Sequence, residues 1–324
     1  MGIIQVRTAP EPFPAVCRCG GQRSYYDEEK RHIMQFKQLT LSEIPLVQPY
    51  FRQMKSRTCD FTVGGMFMWR NYYKMEYAMD GEIFYSRLHD QDGQVYYNLP
   101  LGGDVAGGIQ VLKGQTEGGP LRFCTVPECY LEEFQAICPG CAVSEQTDFA
   151  DYLYQASDLA QLGGKRYSGQ RNQISQFKRG VEGWSFEPLT AGNVGAVEAF
   201  FTQTYLSGAG AGAAEREEND RVLEVLQNLD RYGMVGGVLT ADGAIVGFSL
   251  GEIVNDTLFT HIEKADRSCK GAYQMLVNQF AAAYTGGNVT CINREEDMGD
   301  PGLRRAKQAY HPIELLKKYV VEVM

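Results

Sequence analysis

Residues 256–293 read DTLFTHIEKADRSCKGAYQMLVNQFAAAYTGGNVTCIN. The first ten, DTLFTHIEKA, run apolar and then alternate polar and apolar, which predicts a strand. A polar loop, DRSCKG, follows. AYQMLVNQFAAAY then places Tyr273, Leu276, Val277, Phe280, Ala281 and Tyr284 three or four positions apart, the stripe of an amphipathic helix. Gly286 and Gly287 end it, because glycine accepts the left-handed backbone that closes a helix. NVTCIN is the next strand. Alternation along the first strand puts His261 and Glu263 on one face.

Beyond that strand the chain reads INREEDMGDPGLRRAKQAYHP, residues 292–312. Glu295, Glu296 and Asp297 are three consecutive acids at a strand end, the place where α/β sites gather. Asp300 followed by Pro301 predicts a helix start, with Asp as N-cap and Pro at the first helical position. HPIELLKKYVVEV closes the chain and predicts a final strand.

The same order of elements occurs earlier. Shifting by about 150 positions superimposes FKQLT onto FEPLT, Thr40 onto Thr190, Ile44 onto Val194, Val47 onto Val197, and Tyr50-Phe51 onto Phe200-Phe201. Thr40 with Glu43 has the spacing of a capping box, in which each side chain satisfies a free N–H of the first turn. Each half carries an Asp-Gly hairpin signal, Asp80-Gly81 and Asp242-Gly243, which predicts a type I′ turn. The reading is an α/β (α+β) protein of two similar domains, with mixed, mostly antiparallel sheets and flanking helices. Residues 1–33 hold three prolines and no apolar period and read as a flexible extension; residues 34–183 form the first domain and 184–324 the second.

Composition narrows the function. The net charge is −9, which opposes general coating of a phosphate backbone, since that affinity rests on Lys and Arg. No apolar run approaches the ~20 residues of a membrane span, and no signal peptide is seen, so a cytoplasmic location is expected. The nine cysteines include two close pairs, Cys17/Cys19 and Cys138/Cys141, far apart in sequence; reduced thiols and no metal site are expected.

Strand, loop, amphipathic helix, strand, helix resembles the core of the GNAT acyltransferase fold. In that fold the loop carries Arg/Gln-x-x-Gly-x-Gly/Ala and binds the pyrophosphate of coenzyme A at a helix N-terminus. Here it reads Arg267-Ser-Cys-Lys270-Gly271-Ala272, with Lys270 in place of the first glycine. Two longer strings, YLYQASDLAQLGGKRYSGQRNQISQF (152–177) and INREEDMGDPGLRRAKQAYHP, make residues 34–324 similar to an uncharacterised bacterial family related to the C-terminal domain of phosphatidylglycerol lysyltransferase. The resemblance implies a tandem GNAT fold. Its characterised relatives move an aminoacyl group from charged tRNA to a phospholipid head group and carry a multi-span membrane domain, which this sequence lacks.

The function expected is therefore transfer of an acyl or aminoacyl group to an amine or hydroxyl. The donor would be a coenzyme A thioester or an aminoacyl-tRNA, with no tightly bound cofactor, and the acceptor could be a membrane lipid met transiently. The alternative is a non-catalytic nucleotide- or tRNA-binding module. Glu295 or Asp297 would serve as general base, or would hold an ammonium. Crowding of the three acids is expected to raise at least one of their pKa values; the competing reading is a solvated loop paired with Arg304 and Arg305. Glu263 joins the catalytic set, and Tyr310 is a candidate acid. Arg267, Lys270, Gly271 and Ala272 would form the anion loop. The acid-free segment 165–179 would add Lys165, Arg171, Asn172 and Lys178, on a helix capped by Ser168, and Asn293 and Arg294 come from the family string.

Overall fold

The computed structural model describes residues 34–115, 119–206 and 213–324, and residues 34–324 form one compact unit. Residues 1–33, with Cys17 and Cys19, lie outside the described residues. The strands are β1 (Lys37–Gln38), β2 (Glu76–Asp80), β3 (Ile83–His89), β4 (Val95–Tyr97), β5 (Leu121–Pro127), β6 (Ala142–Glu145), β7 (Asp151–Gln155), β8 (Trp184–Pro188), β9 (Val235–Ala241), β10 (Ala244–Val254), β11 (Thr257–Ala265), β12 (Cys291–Asn293), β13 (Glu314–Leu316) and β14 (Lys318–Val323).

They form two seven-stranded sheets, ordered β1-β2-β3-β4-β5-β14-β6 and β8-β9-β10-β11-β12-β7-β13. The two orders correspond position by position. Every pairing is antiparallel except β4 with β5 and β11 with β12. The equivalent helices Ile44–Phe51 and Val194–Phe201 are eight residues each and lie 150 positions apart. This is a tandem GNAT-like fold, as the repeated sequence pattern predicts.

The difference lies in the seventh strand of each half. β7 inserts between β12 and β13, and β14 between β5 and β6, so the halves exchange their last strands. The helices Ala156–Gln161 and Ser168–Gly180 follow β7 across and join the core of the second sheet, with Leu159 and Phe177 packed among Met275, Leu276 and Phe280. Residues 151–180 therefore sit with the second sheet, although the sequence reading groups them with the first half. An apolar strand carries no mark of which of two similar sheets will accept it.

Local chemistry sets the element ends. The Thr40–Glu43 capping box forms, with Thr40 N–H donating to Glu43 Oε2 at 2.8 Å. Asp300 caps Pro301–Gln308 by accepting from Leu303 N–H at 2.6 Å. In the second hairpin Asp242 and Gly243 both have positive φ, as a type I′ turn requires. In the first, Asp80 pairs with Ile83, so the turn residues are Gly81-Glu82 and only Gly81 has positive φ. Ser168 is the first residue of its helix rather than its cap; Tyr167 holds the N-cap position and makes no side-chain cap bond.

The helix Ala272–Tyr284 buries Ala272, Met275, Leu276, Val277, Phe280 and Ala281 on one face of the second sheet. Each large apolar side chain withdrawn from water is worth roughly 1.5–3 kcal/mol. Along β11, Leu258 packs with this helix, while Ile262, four positions on, joins the core shared with the first half, because an extra residue between them reverses the alternation.

Candidate functional site

β11 and β12 pair in parallel only from Thr257/Cys291 to Phe259/Asn293. β11 then runs on to Ala265, while the chain after Asn293 turns away, and the two strands splay. A β-bulge lies at the same level. Leu250 pairs with Ile262 and Gly251 with Thr260, leaving His261 as the extra residue of β11. A side chain on Gly251 would place its Cβ 2.2 Å from the Phe259 carbonyl, so glycine permits the bulge.

Side chains bridge the splay. His261 Nδ1 lies 2.6 Å from Glu295 Oε1, and Nε2 lies 2.9 Å from Glu252 Oε1. Two residues further along β11, Glu263 accepts from Arg294 at 2.6 Å and from the Tyr273 hydroxyl at 2.8 Å. The His261 side chain is fully buried. Burial alone would lower its pKa, but the hydrogen bonds and charges of Glu252 and Glu295 outweigh it and hold it up at about 10. The ring is an imidazolium with both N–H groups donating to carboxylates.

Residues 293–297, Asn-Arg-Glu-Glu-Asp, distribute into separate networks. Asn293 donates to the Arg57 carbonyl at 2.7 Å and to Asp151 at 2.9 Å, and accepts from Glu295 N–H at 2.6 Å. The Arg294 guanidinium sits among the rings of Tyr310, Tyr154 and Tyr273, 4.8–5.9 Å from their centroids. Glu295 adopts φ +57° and meets His261. Glu296 turns inward to Lys318 at 3.5 Å. Asp297 accepts from Tyr152 at 2.6 Å, from Arg304 Nε at 2.8 Å and from Gly299 N–H at 2.9 Å.

The expectation that crowding raises an acid of this run meets the opposite at Glu296 and Asp297. Hydrogen bonds from Arg304 lead in holding Asp297 down at about 2. For Glu296, burial acts upward, but the Lys318 and Lys307 ammonium groups prevail and bring it to about 2. The raised carboxylates belong to residues remote in sequence: burial lifts Asp151 to about 7, against the pull of Lys318, and lifts Asp60 as well. They meet in a cluster that the sequence did not suggest. Lys318 Nζ lies 2.7 Å from Asp151, 2.8 Å from Asp60 and 3.4 Å from Cys59 Sγ. Cys59, Asp151 and Glu296 offer ligand atoms close enough for a cation, and the Lys318 ammonium lies within bonding reach of all three.

The other candidates are placed as follows. Arg267 and Lys270 are exposed, Gly271 has φ +80°, and Ala272 is buried at the helix start. A Cβ on Gly271 would stand 2.2 Å from the Gln173 carbonyl, so the helix Ser168–Gly180 abuts this loop. Arg171 donates to the carbonyls of Leu162 and Gly164 at 2.5 and 2.6 Å, closing the end of the preceding helix. Lys178 lies over the Trp184 ring at 5.0 Å, while Lys165 and Asn172 are exposed. Tyr310 is buried against Arg294, with its hydroxyl lacking a hydrogen-bond partner among the described residues. The structure thus brings Glu263, Arg294, Glu295 and Tyr310 to the splay, together with His261 and Glu252. It leaves Arg171 and Lys178 on the flanking helix. Glu252 went unsuspected because it reads as one acid in an apolar strand, GFSLGEIV.

Two strand-exchanged halves, one of them with a polar, bridged splay, define a tandem GNAT-like protein. The chain belongs to the family described as phosphatidylglycerol lysyltransferase, C-terminal, which matches residues 51–322. A conserved protein of unknown function from Bacteroides thetaiotaomicron is similar in structure, with TM-score 0.79 and 28% identity, over 90% of this chain and 100% of that one. The C-terminal domain of a putative lysylphosphatidylglycerol synthetase from Agrobacterium fabrum is similar with TM-score 0.61 and 14% identity, over 87% and 92% of the two chains. An uncharacterised protein of Mycoplasmoides gallisepticum is 22% identical over 175 residues, which are 54% of this chain and 56% of that protein. No helix among the described residues is long and apolar enough to cross a membrane.

Proposed function

We propose that the chain is a transferase that moves an aminoacyl group from an ester donor to a hydroxyl or amine acceptor at the β11/β12 splay. Family membership supports an acyl- or aminoacyl-transfer function in general. The observation that carries the reading is Glu295: it stands at the open end of the splay, is the partly exposed member of the His261 pair, and has its inner oxygen fixed at 2.6 Å from a buried imidazolium. Asp297 is less suited to be the base, since a carboxylate held near pKa 2 by Arg304 takes up a proton poorly.

In this reading the acceptor oxygen or nitrogen attacks the ester carbonyl while its proton passes to the outer oxygen of Glu295. The carbonyl–oxygen bond of the ester then breaks, and the proton returns to the departing hydroxyl. The packing of Gln173 against Gly271 favours an aminoacyl ester over coenzyme A, because it crowds the turn where a pyrophosphate would approach. The basic face of the helix Ser168–Gly180 remains available to donor phosphates.

The test is a transfer assay with radiolabelled aminoacyl-tRNA or acetyl-coenzyme A as donor, and phosphatidylglycerol vesicles or free amines as acceptor. Label should move from charged tRNA, and Glu295→Gln should slow it by about 10²- to 10⁴-fold, the usual contribution of a general base. Full activity in that variant sinks the base assignment. Transfer from acetyl-coenzyme A alone overturns the choice of donor.

A further inference from the structure

The first half also reaches into this site. Glu252, buried on β10, accepts from the backbone N–H of Gly64 at 2.5 Å and of Val63 at 3.1 Å, and both residues belong to the first half. The Glu252 oxygen that receives Gly64 also bonds His261 Nε2, and His261 bonds Glu295 through Nδ1. An unbroken line of hydrogen bonds therefore runs from the first-half backbone to the partly exposed carboxylate: Gly64, Glu252, His261, Glu295. Among the described residues, Glu252 on β10 and Glu295 after β12 are the charged groups hydrogen-bonded to the ring.

Two further features show that this line is built closely. A Cβ on Gly64 would lie 2.4 Å from Cδ2 and Nε2 of His261, inside any real contact, so the ring seats against bare backbone. The bulge at His261 places this residue, and no other of β11, out of register with β10. Phe259 supports the ring from the side, nearly parallel at 11° with centroids 6.5 Å apart.

We infer that the first half is a positioning element for the chemistry of the second: through Val63, Gly64 and Glu252 it fixes the orientation and charge of His261, and through that ring the direction of Glu295. The physical reason is charge balance. With the Glu252 carboxylate behind it, the imidazolium is balanced on one side and held with its two ring nitrogens aimed at Glu252 and Glu295. Without Glu252, the ring would lose a carboxylate and a fixed acceptor, and both its ionisation and its angle would be free to change. Glu252 and Gly64 are positioning residues, since neither is placed to touch substrate.

The inference rests on the reading of Glu295 as base, so its test has a readout that needs no substrate. Nitrogen-15 NMR of the histidine side chains follows His261 from pH 5 to 10 in the wild type, Glu252→Gln and Gly64→Ala. The wild-type ring should keep both N–H groups through pH 9. In Glu252→Gln it should titrate at least one pH unit lower. In Gly64→Ala the Nε2 resonance should shift; if that variant does not fold, the near-isosteric Glu252→Gln carries the test alone. In the transfer assay, Glu252→Gln should lower kcat at least tenfold and displace the pH–rate profile, with KM little changed. An unchanged His261 titration in Glu252→Gln overturns the inference, even where Glu295→Gln is inactive. A shifted titration together with a fully active Glu295→Gln keeps the relay and removes the base assignment instead.

Discussion

Replacing Lys318 by Met keeps the length of the side chain and deletes the ammonium that bonds Asp60, Asp151, Glu296 and Cys59. Lys318 is about 1% exposed and Asp151 0%, so water cannot take over the lost role. The contacts at 2.7 and 2.8 Å each represent ~6 kcal/mol of gross attraction at an effective dielectric of about 20. Dehydration of the ammonium offsets much of that. Removing one member of a buried ion pair nevertheless costs about 3–5 kcal/mol, because the partners stay buried without compensation. The loss should depend on pH. In the wild type, Asp151 is raised from 3.8 to about 7, so its contribution is present below about pH 4 and is lost as pH rises through 7. Glu296 is lowered from 4.5 to about 2, so its contribution is present above pH 4.5 and is lost as pH falls through 2. Without Lys318, Glu296 loses its leading cation and joins Asp151 and Asp60 in favouring protons. Urea unfolding followed by tryptophan fluorescence should show Lys318→Met destabilised by about 3–5 kcal/mol at pH 8.5 and clearly less at pH 5.5. Adding Asp151→Asn should recover part of the deficit at pH 8.5. A loss below about 1 kcal/mol at pH 8.5, or one that ignores pH, would refute the picture of a buried carboxylate cluster held chiefly by Lys318.

Two further outcomes follow from geometry. Gly271→Ala combines a left-handed backbone, φ +80°, with a Cβ 2.2 Å from the Gln173 carbonyl. The conformation alone costs about 1–2 kcal/mol, and the clash must move the helix Ser168–Gly180 as well, so calorimetry should record a Tm several degrees lower. An unchanged Tm would mean that helix is not seated against the loop. Arg57→Ala removes a two-point contact to Asp256, at 2.8 and 3.1 Å, with side chains 46% and 35% exposed. Such a pair is worth at most about 1 kcal/mol, and a urea-unfolding loss above twice that would mark it as a structural tie between the halves.

The repeat was legible because hairpin turns, caps and helical stripes are local: Thr40 with Glu43, Asp242-Gly243 and the stripe from Tyr273 to Tyr284 each need only a few neighbours to be recognised. Strand exchange was not. YLYQ in β7 and YVVEV in β14 are equally apolar, and partner choice depends on the completed sheets. The acid run shows the same limit. Glu295, Glu296 and Asp297 are adjacent in sequence, but residues at a strand end point in successive directions, and each met a different cation: His261, Lys318 and Arg304. Repulsion between neighbours, the natural inference from one dimension, gave way to pairing in three. His261 and Glu263 were legible as candidates, but not their faces: alternation puts them together, whereas the bulge turns His261 to Glu252 and Gly64 and leaves Glu263 beside Tyr273 and Arg294. Glu252 was not, since its role depends on two backbone N–H groups almost two hundred residues away.

The two halves have the same strand order, so the fold alone does not explain why the polar cluster gathers in one. Thr125 within β5 and Glu295 just beyond β12, each two residues after the last parallel pair of its half, are both left-handed, at φ +49° and +57°. That backbone kink therefore belongs to the repeated architecture and is not by itself a sign of function. What differs is the occupancy of the splay. Where β11 supplies His261 and Glu263, the short β4 and its continuation read Val-Tyr-Tyr-Asn-Leu, residues 95–99, with no histidine and no acid. The strand exchange then gives the first half a different task. It sends β7, headed by Asp151, into the second sheet and receives β14, headed by Lys318, and these two first residues meet at 2.7 Å. Asn293, which accepts from Glu295 N–H, also donates to Asp151. The carboxylate at the mouth of the splay is thereby held twice by the opposite half, once through its side chain and Glu252, and once through its own backbone and the exchanged strands. A second half standing alone would lack both supports.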